Sequence, residues 1–265
     1  MDLRDVERPG RRVQERERQD GTEPTLCDRR ARGFGAGRLC HQFIGRLGLK
    51  EAALRPEQDH GFDAKASERS DDGWETGLIP VSQRLSDALM SLDPTGKTVL
   101  EPGCGRGGLL LGLVQAGAAA ATGVDLSSAA IDAARDRFEH SRLSERADFS
   151  VGDAERLPLE RHDWVILDRV ICCYPDGEQL LANTIPAARE IYAFTVPTSR
   201  GWRGAIARLD WWIDDVWNTF RGRPCPGYVH DLDLIEERLD SAGFRLRHRD
   251  HQRFWHIAVY ERLAA

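Results

Sequence analysis

Hydrophobic and polar positions divide the chain into three stretches. From residue 1 to about 33, Arg alternates with Asp and Glu, and large apolar residues are almost absent. Such a stretch cannot bury enough apolar surface to offset the entropy lost on ordering, so it reads as a disordered charged arm. Its charges nearly cancel, which argues against a nucleic-acid tail. Apolar residues return over 34–54, and 56–77 is polar again. Leu39, Phe43 and Leu47 recur every four residues, the spacing of one helix face. This helical lead-in over 34–77, broken later by Pro56, Gly61, Gly73 and Gly77, is a candidate lid.

From residue 78 the pattern alternates between strand and helix. Pro80 opens a helix with Leu85, Leu89 and Leu92 on one side, ending near Pro94-Thr95-Gly96. Short apolar runs predict strands at 98–101, 121–125, 147–151, 163–168 and 190–196. The fourth is apolar throughout its interior, as a strand buried on both faces requires. Helices are predicted at 108–117, at 127–138 behind a Ser127 cap, and at 231–242 before Gly243. Runs 244–251 and 253–260 follow as two adjacent strands. The whole predicts an α/β fold: a doubly wound, mostly parallel seven-stranded sheet with an antiparallel edge hairpin.

An insertion at 198–230 interrupts this scheme. Ile206, Leu209, Ile213, Val216 and Phe220 step by three or four, and Trp202, Trp211, Trp212 and Trp217 add aromatic surface. That is an amphipathic helix. It suits the wall of a pocket for an apolar or planar acceptor. A homodimer contact or a membrane-surface contact is the alternative, and Asp210, Asp214 and Asp215 oppose anionic lipid.

Composition narrows the partners. A length of 265 residues fits one large domain with an arm. The net charge of −6 excludes a basic surface over the whole domain, so nucleic acid is not an expected partner. No apolar run approaches the roughly 20 residues of a membrane span, and the first thirty residues hold no charged-then-apolar secretory start. The six cysteines contain no C-x-x-C pair, and only Cys40 has a neighbouring His, His41. A zinc site there lacks further ligands, so no metal is expected. Scattered thiols fit a reducing, cytoplasmic setting.

The chemistry concentrates in Glu101-Pro102-Gly103-Cys104-Gly105-Arg106-Gly107-Gly108. Four glycines in six residues, between a strand and a helix, let a ligand approach the backbone. Asp125 ends the next strand, 22 residues after Gly103, where a carboxylate can hold both hydroxyls of a ribose. Gly103, Gly105 and Gly108 also satisfy the dinucleotide fingerprint. Three features favour S-adenosylmethionine instead. Glu101 suits a cationic amino acid and repels a pyrophosphate. Gly152-Asp153-Ala154 places an acid near the adenine edge. The closing strand pair is unusual for a dehydrogenase domain.

Over about residues 78–261 the chain resembles the class I S-adenosylmethionine-dependent methyltransferases, whose fold is Rossmann-like. Glu101 to Gly107 is similar to that family's first motif, Gly123-Val124-Asp125 to its second acidic strand end, and Gly152-Asp153-Ala154 to its adenine-side motif. Ser241-Ala242-Gly243-Phe244 resembles its turn into the last strands. A narrower resemblance, through Asp168 to Asp176 with the run Cys172-Cys173-Tyr174-Pro175-Asp176 and through Phe62 to Leu85, is to small bacterial methyltransferases of unassigned substrate. A fainter likeness to magnesium-protoporphyrin methyltransferases rests on the cofactor motifs and carries no tetrapyrrole substrate over.

The resemblance implies roles. Glu101 contacts the methionine part of the cofactor, and Gly103, Gly105 and Gly107 line it. Asp125 holds the ribose and Leu126 lies against the adenine. Asp153, beside Ala154, accepts from the adenine amino group. Asp168 or Arg169 touches the methionine end or the acceptor, unless the two simply pair with each other. The implied activity is methyl transfer to a small-molecule acceptor by in-line displacement, which needs a base only where the acceptor has a proton to lose. Tyr174 and His230 are the candidate bases, ahead of His41, His60 and His256. Cys172 and Cys173 read as small packing residues. An NAD(P)-dependent oxidoreductase and a non-catalytic S-adenosylmethionine-binding protein stand as alternatives.

Overall fold

The computed structural model describes residues 78–202, 204, 206 and 227–263. The expected arm 1–33, the lead-in 34–77 and most of the insertion 198–230, including Trp211, Trp212, Trp217 and Phe220, lie outside the described residues. So do Cys27, Cys40, His41, His60 and Cys225.

Helix α1 (Pro80–Met90) starts at a proline, whose fixed φ suits the first helical position. It buries Leu85 and Leu89, while Leu92 falls beyond its end. Strand β1 (Thr98–Pro102) leads through the glycine loop into α2 (Gly108–Gln115). Strand β2 (Ala120–Asp125), helix α3 (Ser128–His140) and strand β3 (Ala147–Val151) follow. The Ser127 hydroxyl caps α3 by accepting from the Ala130 amide at 3.0 Å. Strand β4 (His162–Asp168) is buried from Trp164 to Leu167, in keeping with its unbroken apolar run.

A helix that the periodicity reading passed over, α4 (Gly177–Thr184), comes next. The Asp176 carboxylate caps it, accepting from the Glu178 and Gln179 amides at 3.1 and 3.2 Å. At eight residues it is too short for an apolar period to stand out, although Asp176-Gly177-Glu178 is a legible start signal. Strand β5 (Ala188–Pro197), helix α5 (Leu232–Ser241), β6 (Phe244–Gln252) and β7 (Trp255–Arg262) complete the order.

The sheet has seven strands in the order β3-β2-β1-β4-β5-β7-β6. Strands β1 to β5 are mutually parallel, and β7 runs antiparallel to both β5 and β6. The last strand is therefore inserted between β5 and β6. Composition explains which strand takes the edge. Residues Ile257 to Tyr260 in β7 are apolar and buried, while β6 reads Arg-Leu-Arg-His-Arg-Asp-His-Gln after Phe244 and is largely exposed, as an edge protected by charge should be. Helices α1, α2 and α3 contribute to one apolar core on one face, and α4 and α5 to a second on the other.

Candidate active site

The parallel strands all end at one edge of the sheet, and the loops after β1, β2, β3 and β4 converge there, where ligands bind in doubly wound folds. After β1 the chain turns sharply, with Gly103 at φ 72° and Gly107 at φ 68°, a left-handed backbone that side chains resist. A Cβ on Gly103 would lie 2.4 Å from a methyl of Val170 in the loop after β4. The amides of Gly103 and Cys104 both donate to the Val124 carbonyl, at 2.6 and 3.1 Å, so the loop is fastened to β2. Gly103→Ala is expected to lower the melting midpoint and to weaken cofactor binding together. The left-handed backbone alone costs about 1–2 kcal/mol, before the clash. Differential scanning fluorimetry with and without S-adenosylhomocysteine checks it, and a native-like response would dissociate the loop from the site.

Asp125, at the end of β2, organises that loop. One carboxylate oxygen accepts from the Gly105 amide at 2.8 Å and the other from the Ser127 amide at 2.9 Å. Leu126 follows it, half-buried. After β3 the Gly152 amide donates to the Asp125 carbonyl at 2.9 Å, bringing Asp153 and buried Ala154 to the same edge. The Asp153 carboxylate accepts from the Glu155 amide at 3.0 Å.

Glu101 sits at the end of β1, only 3% exposed, and its Oε2 has no hydrogen-bond partner. Burial first, then the charges of Asp168 and Asp125, hold its carboxyl well above the usual carboxylate range. A buried carboxylate without a partner is costly unless a cation or a donor reaches it. The same burial, with Glu101 and Asp125 nearby, pushes the Cys104 thiol well up, so Cys104 fills the loop and is not a thiolate.

Asp168 and Arg169 do not pair with each other. Asp168 accepts from the Ser82 hydroxyl of α1 and from the Thr195 hydroxyl of β5, the latter at 2.7 Å. Arg169 has φ 59°, its amide donates to Thr195 Oγ1 at 2.8 Å, and its buried Nε has no partner. The thiols of Cys172 and Cys173 both reach the Arg169 carbonyl at 3.5 Å and so pack behind the turn.

The two candidate bases meet, His230 reaching the backbone of Tyr174. Tyr174 is 5% exposed; burial, then the charge of Asp153, pushes its phenol up, away from a proton acceptor's range. His230 donates from Nε2 to the Tyr174 carbonyl at 3.0 Å, and its ring packs on Gly177. His256 lies elsewhere, buried beside His251 and pulled down to about 4 by burial and that neighbour. Sequence reasoning missed Ser82 and Thr195. Their only signal is a hydroxyl on an otherwise apolar helix face or strand, and nothing local names the partner. Among the described residues, no three His, Cys, Asp or Glu side chains group to hold a metal, and no helix is long and apolar enough to cross a membrane.

The strand order, the glycine loop and the acidic strand ends define the class of protein. Residues 99–190 match the family model described as methyltransferase domain. The chain is 44% identical over 71 residues to the ribosomal protein L11 methyltransferase of Escherichia coli O1:K1 / APEC, which covers 27% of this chain and 24% of that protein. It thus spans about a quarter of the length of the curated relatives it matches. Among solved structures it is similar to the magnesium protoporphyrin IX methyltransferase of Synechocystis PCC 6803 with bound S-adenosylhomocysteine, at 18% identity and TM-score 0.60 over 77% of this chain and 98% of that one. It is likewise similar to an O-methyltransferase family protein from Burkholderia thailandensis, at 18% identity and TM-score 0.63 over 84% and 68%. At such identities the structural likeness shows the fold. Residues 99–190 thus match a methyltransferase domain, on a sheet with the Rossmann-like methyltransferase fold.

Proposed function

We propose that this chain transfers the methyl group of S-adenosylmethionine to a small-molecule acceptor. The observation that carries the reading is Glu101, a buried carboxylate without a partner for Oε2, flanked by the charges of Asp125 and Asp168. Such a seat attracts the cationic amino-acid end of S-adenosylmethionine and repels the pyrophosphate of NAD(P). When bound, the cofactor supplies a methyl group on an electrophilic sulfonium.

In this reading Glu101, Asp168 and Arg169 take the methionine end, and the loop through Gly103, Gly105 and Gly107 lies against the cofactor. Asp125 holds the ribose, Leu126 packs on the adenine, and Asp153 beside Ala154 accepts from its amino group. The rigid loops align acceptor and methyl, which is the main requirement of an in-line displacement. The geometry of Tyr174 and His230 supports alignment over a base at either residue. The aromatic surface of the insertion 198–230 favours an apolar or planar acceptor, with a homodimer contact as its other use. The acidic net charge speaks against nucleic acid, and the thiol pattern for the cytoplasm. In this reading the lead-in 34–77 serves as a lid, and the arm 1–33 is given no role in the chemistry.

Titration calorimetry tests the cofactor. S-adenosylhomocysteine is expected to bind and NAD not to; comparable binding of NAD would favour the oxidoreductase. Labelled S-adenosylmethionine offered with a metabolite extract is expected to yield a labelled small product. Tight cofactor binding with no product from any fraction would favour a non-catalytic role.

A further inference from the structure

We propose that Ser82 and Thr195 are positioning residues: they clamp Asp168 so that its carboxylate forms part of the seat for the cofactor's ammonium group. The proposal rests on the cofactor reading above. Asp168 is held through both of its oxygens, Oδ2 by the Ser82 hydroxyl and Oδ1 by the Thr195 hydroxyl at 2.7 Å. The donors come from separate packed elements. Ser82 is the third residue of α1 and 4% exposed; Thr195 is fully buried in β5, directly beside Asp168 in the β4–β5 register. Neither can move without its helix or strand, so the carboxylate is fixed in direction before any ligand arrives.

The choice of donors matters as much as their number. Two neutral hydroxyls orient the carboxylate and leave its negative charge in place, where a lysine or arginine would have cancelled it. Each carboxylate oxygen also keeps further acceptor capacity. That charge acts on Glu101, whose own Oε2 is buried and unpartnered. Asp168 and Glu101 thus face one small volume from adjacent strands β4 and β1, and an ammonium placed there gains charge-assisted hydrogen bonds. Thr195 has a second task. Its oxygen accepts from the Arg169 amide at 2.8 Å, which secures the left-handed turn at φ 59° that carries the chain out of β4. The same hydroxyl therefore sets both the carboxylate and the turn behind it.

The test separates a clamp from ordinary packing by truncating the ligand. 5′-Methylthioadenosine keeps the adenosine of S-adenosylhomocysteine but lacks its amino-acid end. Calorimetry on the full chain is expected to show Ser82→Ala and Thr195→Val each binding S-adenosylhomocysteine about tenfold more weakly, the scale of a weakened hydrogen bond to a charged group. Binding of 5′-methylthioadenosine should shift less than about twofold on the same scale. Asp168→Asn should behave alike, and Ser82→Ala added to it should cost nothing further, because the two act as a unit. Thr195→Val is isosteric and carries the test alone should Ser82→Ala disturb folding. Equal losses for both ligands, or additive losses with Asp168→Asn, overturn the clamp. A selective loss in Asp168→Asn without one in either hydroxyl variant overturns the clamp and leaves the seat standing. No selectivity in Asp168→Asn overturns both, and native protein that binds neither ligand defeats the cofactor reading itself.

Discussion

Glu101→Gln is expected to bind S-adenosylhomocysteine about 10- to 100-fold more weakly than the native chain, while unfolding at a higher temperature when no ligand is present. Losing a charge-assisted hydrogen bond of roughly 1.5–3 kcal/mol sets the first effect. The second follows from the folded state. Burial and two neighbouring carboxylates hold the Glu101 carboxyl well above its ordinary range, so the folded protein keeps that proton where the unfolded chain has lost it. This contribution to stability is complete at acid pH, below the unfolded value, and is lost as the pH rises through the folded value. The amide removes that loss. A gain of about 1 kcal/mol moves the midpoint by roughly 2–4 °C in a domain of this size. Ligand binding runs the other way: a cation favours the ionised carboxylate, so affinity rises over the same pH window and protons are released. Calorimetry in buffers of different ionisation enthalpy counts those protons. A variant that releases as many as the native chain would place the ionisation elsewhere.

Asp125→Ala is expected to raise the dissociation constant for S-adenosylhomocysteine by about one to two orders of magnitude, on the same hydrogen-bond scale. Here stability should fall as well. The carboxylate holds the Gly105 and Ser127 amides, and both lose their acceptor. A backbone amide left without an acceptor costs roughly 1–3 kcal/mol where water cannot replace it. The two substitutions therefore weaken binding alike and shift the unliganded melting midpoint in opposite directions. Unchanged affinity in Asp125→Ala would remove this residue from the ribose site.

That contrast reflects two kinds of information in the chain. Asp125 was legible because its position, at a strand end after a glycine loop, is a local pattern. The alternation of elements from Pro80 onward was legible for the same reason, and element ends shifted by no more than a few residues. The buried strand β4 announced itself by an unbroken apolar run, and α3 by its Ser127 cap. Helix α4 was passed over because eight residues give a periodic signal too little length.

The sequence by itself determined the class of fold, the strand ends that carry acids and the glycines that make room between them. These depend on spacing and on backbone freedom, which are properties of neighbouring residues. Only the tertiary structure decided the rest. It put β7 inside the sheet and β6 at its edge, because pairing is chosen by which strand can tolerate burial on both sides. It set the surroundings of Tyr174 and His230, a phenol buried beside Asp153 and an imidazole on a backbone carbonyl, which no local pattern specifies. It brought Ser82 to Asp168 across 86 positions of the chain. No local pattern encodes such a meeting, because it is fixed by how α1 packs over the edge where β4 ends.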